Sequence, residues 1–88
     1  MKYIGAKAVQ PLPDFRLLIT FENGEQRIFN LEPYLDQGIF RELRDAALFA
    51  GARVNFDTVE WPNGADLCPE TLYAESVPVK AESGALKR

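Results

Sequence analysis

The chain contains no histidine. The commonest general base, the commonest metal ligand and the usual partner of a Ser or Cys nucleophile are therefore all missing. It has a single cysteine, Cys68, which excludes an intrachain disulfide and leaves a structural zinc site two or three ligands short. No apolar run approaches the ~18 residues of a membrane span, and Met1 to Lys7 lack the long apolar stretch of a secretory signal. Basic residues are in deficit, 10 against 13 acidic ones, for a net charge of −3. General binding to phosphate backbones needs clustered positive charge, so direct nucleic-acid binding is not expected. A protein partner or a small cationic ligand stays open. The default expectation is a cytoplasmic protein with no cofactor, no metal, no catalytic residue and no membrane contact.

What is present is an ordinary globular composition, 47% apolar and 26% charged over 88 residues. That is one domain, with no room for a second core. A chain this short hides only ~60–65% of its surface, so stability is modest and homodimerisation would be a natural support.

Residues 3–10 alternate weakly, with Ile4, Ala6 and Ala8 on one side, until Pro11-Leu12-Pro13-Asp14 forces a connection or a bulged edge. Phe15–Glu22 and Glu25–Asn30 flank Asn23-Gly24, a strong short hairpin signal, because both residues tolerate the positive φ of a type I′ turn. A two-residue loop sets Ile19 opposite Ile28, Leu18 opposite Phe29 and Glu22 opposite Glu25. The apolar pairs fall on opposite faces, which predicts a hairpin covered on more than one side, by a helix or another subunit. After Pro33 and Gly38, the residues Ile39, Phe40, Leu43, Ala46, Ala47 and Ala50 recur at helical spacing. Asp45 before Ala-Ala can equally end that helix and cap a second turn, and Gly51 stops it. Ala52–Phe56 and Thr58–Trp61 form a second hairpin about Asp57. Pro62-Asn63-Gly64 turns, and Pro69 opens a short helix with Cys68 or Asp66 as cap. Glu75–Val79 is a candidate edge segment, and 80–88 reads as a disordered tail. No internal repeat is evident. The predicted order β-β-β-α-β-β-α makes an α+β two-layer domain over 1–79, a mostly antiparallel sheet of about five strands under one main amphipathic helix.

The Phe-x-Asn-Gly-Glu hairpin, the Phe29-Asn30-Leu31 exit, the Gly38-x-Phe-x-x-Leu segment and above all Trp61-Pro-Asn-Gly-Ala-Asp-Leu resemble the bacterial domain-of-unknown-function family 2442, over roughly Tyr3 to Tyr73. The resemblance implies a small α+β domain belonging to small bacterial operons, some of toxin–antitoxin character. It implies no established activity, substrate or cofactor. Some members carry a fused helix-turn-helix domain, and nothing after Tyr73 looks like one.

The candidate site is the corner of Trp61, Asn63, Gly64, Asp66 and Tyr73. Each residue has two readings. Trp61 either caps the core with its N–H on a nearby carbonyl or anchors a partner. Asn63-Gly64 is either a positive-φ turn or a backbone nest for an anion. Asp66 either caps or turns, or joins a recognition pocket with Trp61 and Tyr73. Cys68 sits where a helix start would depress a thiol pKa, but as a small buried or capping residue it needs no chemistry. The leading expectation is a non-catalytic protein-interaction module, using this corner to bind another protein or itself. The alternative is a small-ligand domain with the Trp61, Asn63 and Asp66 loop as its rim.

Overall fold

A computed structural model describes residues 4–79; the tail expectation for 80–88 falls outside them. The order is β1 (Ala6–Leu12), β2 (Arg16–Phe21), β3 (Gln26–Asn30), two 3-10 segments (Glu32–Tyr34 and Gly38–Arg44), α1 (Ala46–Phe49), β4 (Arg53–Asn55), β5 (Thr58–Glu60), β6 (Asp66–Leu67), α2 (Pro69–Glu75) and β7 (Val77–Pro78). The fold is α+β, as expected, with every strand pair antiparallel. The strands divide into two sheets, β1-β2-β3-β7 and β4-β5-β6.

Alternation along β2 decides the larger sheet. Leu17, Ile19 and Phe21 are buried, whereas Arg16, Leu18 and Thr20 point the other way. Phe29 joins the inner set opposite Leu17. In β1 a bulge between Ala6 and Ala8 shifts the pairing from Ala6↔Phe21 to Ala8↔Thr20 and Val9↔Ile19. Ala6 and Val9 therefore face the core, and Ala8, expected beside Ala6, is exposed. Pro11 is tolerated because β1 is an edge strand.

The first hairpin corrects the expected register. Leu17 pairs with Phe29, Leu18 with Ile28 and Ile19 with Arg27. The loop holds three residues, not two: Phe21 N–H donates to Glu25 O (2.8 Å) and Gly24 N–H to Phe21 O (2.9 Å). Gly24 alone has positive φ, 90°, and the Asn23 side chain accepts from Glu25 N–H (3.0 Å). This is a turn plus one-glycine bulge, so Asn23 serves as a local acceptor and not as a left-handed residue. The like-charge pair Glu22–Glu25 disappears, and apolar residues still occupy both faces.

The expected amphipathic α-helix is instead a seven-residue 3-10 segment, followed by one α turn. Asp45 is the reason. Its backbone is extended, and its carboxylate accepts from Ala47 N–H (2.9 Å) and Leu48 N–H (3.4 Å), so it caps α1 and breaks the preceding run. A three-residue period puts Phe40 and Leu43 on one side; Leu43 is buried, while Ile39 is exposed.

The two outer sheet faces differ in chemistry. On the small sheet, Arg53, Glu60 and Asp66 align across the strands, and Arg53 and Asn55 both hydrogen-bond Glu60. On the large sheet the register aligns Leu18, Ile28 and Val77 in one row. Thr20 and Gln26, hydrogen-bonded to each other, lie on one side of it, and Arg16 and Asn30 on the other.

Candidate functional site

Trp61 follows β5 and is a core residue, 2% exposed. Its indole N–H donates to Phe49 O at 3.0 Å, and its ring lies edge-on to Phe40 (6.3 Å) and stacked on Phe49 (6.4 Å). The contacts continue from Phe40 to Tyr34 and Phe29 and from Phe49 to Phe15. Trp61 is thus the middle of a line of aromatic rings through the domain. The reading of Trp61 as an exposed anchor is corrected: its surface is already spent on these rings, and its one donor is satisfied.

The loop after it repeats the first hairpin turn. Trp61 N–H donates to Ala65 O (2.9 Å), Gly64 N–H to Trp61 O (3.0 Å), and Asn63 Oδ1 accepts from Ala65 N–H (3.1 Å). Gly64 has φ 96°. Aromatic-x-Asn-Gly-x therefore builds one device twice, at Phe21–Glu25 and at Trp61–Ala65. The amides of Gly64 and Ala65 are both used inside the turn, so the anion nest does not form. The Asn63 amide donates to Glu42 Oε1 (2.9 Å), fastening the loop to the 3-10 segment. Gly51 lets the loop close: a Cβ there would stand 3.0 Å from the Pro62 ring.

Asp66 is neither cap nor turn residue but an exposed strand residue of β6, facing Glu60 across the ladder. Tyr73 makes contacts elsewhere. Its ring meets Phe21 edge-on at 5.1 Å and carries the Arg27 guanidinium 4.4 Å above it, and the neighbouring Glu25 carboxylate pushes its phenol pKa up. The five candidate residues thus form no single pocket: one is core, two form a satisfied turn, one faces solvent, and Tyr73 packs on the larger sheet.

Cys68 is the α2 N-cap and is exposed, not buried. The Thr71 hydroxyl, 3.2 Å from Sγ, holds its thiol below the usual range. A hydroxyl is no proton acceptor for a nucleophile, and Cys68 caps α2 without a side-chain capping bond. Among the described residues no three or more Cys, Asp or Glu side chains are grouped as metal ligands would be.

Tyr34 donates to Glu75 Oε1 at 2.6 Å, which pushes its phenol from 10.0 up to about 12. The folded state holds this proton more tightly than the unfolded chain. The contribution is whole below pH ~10 and is lost as pH rises towards about 12. Urea titrations across that window should show stability falling, and Tyr34→Phe should flatten the fall; an unchanged slope would contradict the assignment.

Two features escaped the sequence. Arg27 points inward, donating from Nε to Ser76 Oγ and from Nη2 to Ser76 O, each at 2.8 Å. The sequence places Phe56 in a strand, but it tips the β4–β5 hairpin at φ 51°, followed by Asp57 at φ 70°, and is 90% exposed. The type I′ turn expected at Asn23-Gly24 is here, with a phenylalanine, poorly suited to it, at its first central position. The tip is clamped to β1: Ala6 N–H donates to Asp57 O (3.1 Å), and a Cβ on Gly5 would lie 2.5 Å from Asp57 Cγ, so only glycine fits there. Asn-Phe-Asp between two β-prone runs was the available signal.

A family model described as "Protein of unknown function (DUF2442)" matches residues 6–78. No curated protein and no solved structure matches the chain.

Proposed function

The chain belongs to the DUF2442 family, and we propose that it is a non-catalytic protein-interaction module whose contact is made by the β4–β5 hairpin tip. The observation behind this reading is Phe56. A bulky side chain in the left-handed region costs about 1–2 kcal/mol, and a fully solvated aromatic ring recovers none of it. Such strain collects where it serves binding, and an aromatic ring is a favoured anchor in a partner's pocket. The clamp of Asp57 on Gly5 and Ala6 holds the tip in position before any partner arrives, which lowers the ordering cost of binding. On this reading the protein works in the bacterial cytoplasm beside a partner encoded in the same small operon, in the manner of a toxin–antitoxin component. No helix among the described residues is long and apolar enough to cross a membrane.

Phe56→Asn separates folding from contact. Asparagine tolerates positive φ, so the variant should be as stable as the parent or up to ~1 kcal/mol more so. Immobilised on a resin and exposed to host extract, it should lose the proteins that the parent retains. Retention of the same proteins by both would remove the hairpin tip from the account.

A further inference from the structure

We propose that the outer face of the β1-β2-β3-β7 sheet is covered by a second copy of this chain, packed face to face. This goes beyond the contact assigned to Phe56 and concerns a different surface. Leu18, Ile28 and Val77 stand in register across three adjacent strands of that face. Leu18 and Ile28 do not belong to the core cluster or to the apolar residues packed against it, and Val77 is 47% exposed. The small sheet shows what this chain places on a face turned to water: an Arg53–Glu60 ion pair with Asp66 beside it. On β2 and β3 the outer face of the large sheet carries one charged residue, Arg16, and Arg16 Nε folds back to Pro13 O at 3.4 Å. Depletion of charge around an apolar centre is the compositional mark of an interface core.

Charge also selects the occupant. The chain carries a net charge of −3, so two copies repel over most of their surfaces and meet at least cost through a face without carboxylates. A two-fold axis running along the Leu18–Ile28–Val77 row sets each of these residues against its own copy. It lays each Arg16 over the partner's Thr20–Gln26 end, where side-chain oxygens can accept its hydrogen bonds. An axis along β2 would instead oppose Arg16 to Arg16 and is disfavoured by that repulsion. Such a dimer is isologous and closes on itself, with the aligned sheets about 10 Å apart. Strands about 4.8 Å apart, three of about 20 Å and the two-residue β7, give roughly 320 Å² per copy, or roughly 650 Å² buried in all before side-chain relief is added. That is small for a stable complex and sets a weak, concentration-dependent dimer.

Sedimentation velocity of the full chain from about 10 μM to about 1 mM reads this directly, the range where so small an interface should dissociate. The sedimentation coefficient should rise from monomer towards dimer with concentration. Leu18→Glu should remain monomeric throughout, with an unchanged far-ultraviolet spectrum. Val77→Glu, on a half-exposed edge that cannot unfold the core, should do the same if Leu18→Glu folds poorly. Phe56→Asn should dimerise like the parent, so loss of the hairpin contact and loss of the dimer are told apart. A parent that stays monomeric at every concentration would overturn the proposal. So would Val77→Glu dimerising as the parent does, or association that appears only after residues 80–88 are removed, which would make the chain's own end the cover.

Discussion

Trp61→Ala should cost the protein a large share of its folding stability. Removing a fully buried tryptophan costs about 3–5 kcal/mol, and a domain of this length has on the order of 5–10 kcal/mol in all. The site cannot collapse cheaply, because Phe40 and Phe49 bracket the ring and are themselves held by Tyr34 and Phe15. Phe49 O also loses its donor. Trp61→Phe isolates this last element: it keeps a ring in the stack and loses the N–H, at about 1–2 kcal/mol for a buried acceptor left unpaired. Urea unfolding followed by far-ultraviolet dichroism measures both without the lost fluorophore. A cost below ~1 kcal/mol for Trp61→Ala would mean that the ring is a surface feature after all.

Arg27→Ala should cost about 2–3 kcal/mol, the second largest effect, and its effect should be local. The guanidinium is on the inner side of β3 with 14% of its side chain exposed. It holds Ser76 at two atoms and lies over Tyr73; charge-assisted bonds of this kind are about twice as strong as neutral ones. Without it, Ser76 O loses its donor and the α2–β7 junction loses its tie to the sheet. Amide exchange should therefore quicken across α2 and β7 well before β1–β3 respond. Arg27→Lys should rescue little, since an ammonium cannot reach both Ser76 atoms from one planar group. The pair Arg27–Glu25 at 3.4 Å is a minor contributor, with Glu25 well exposed. Exchange that quickened uniformly over the whole fold would contradict the local clasp.

How far the residues foretold this structure depends on which interactions were local. Arg16–Phe21 and Gln26–Asn30 were legible as paired strands because alternation and a turn dipeptide lie within a few residues of each other; Phe15, expected to open the first of them, is instead a turn residue at φ 59°. Their register was not, because Asn-Gly serves both a two-residue turn and a glycine bulge, and what distinguishes them is the backbone bonding of Phe21, Gly24 and Glu25 together with the Asn23–Glu25 bond. The 38–50 segment kept its apolar spacing, but Asp45 chose capping over continuation, an alternative that the sequence held open and did not rank. The Trp61 corner was legible as a turn and illegible as a site. Whether an indole faces water depends on Phe40 and Phe49, which lie 21 and 12 residues away in sequence. Cys68 was placed correctly at a helix start, and its exposure followed from packing that no local pattern encodes. Phe56 was missed because a left-handed phenylalanine contradicts propensity, and such contradictions are most informative where the fold does not require them.

The domain is then a ring-filled core with its one tryptophan inside, a hairpin tip holding a strained aromatic outward, and a charge-poor sheet face. Function by contact at the tip is the claim on which the rest depends. It is tested most directly by installing a photoreactive benzophenone-bearing phenylalanine at position 56 in living cells, with the same residue at exposed Glu22 as the control. Irradiation should join position 56 to a discrete protein partner and leave the control bare. Position 56 yielding no adduct beyond the control would contradict the account.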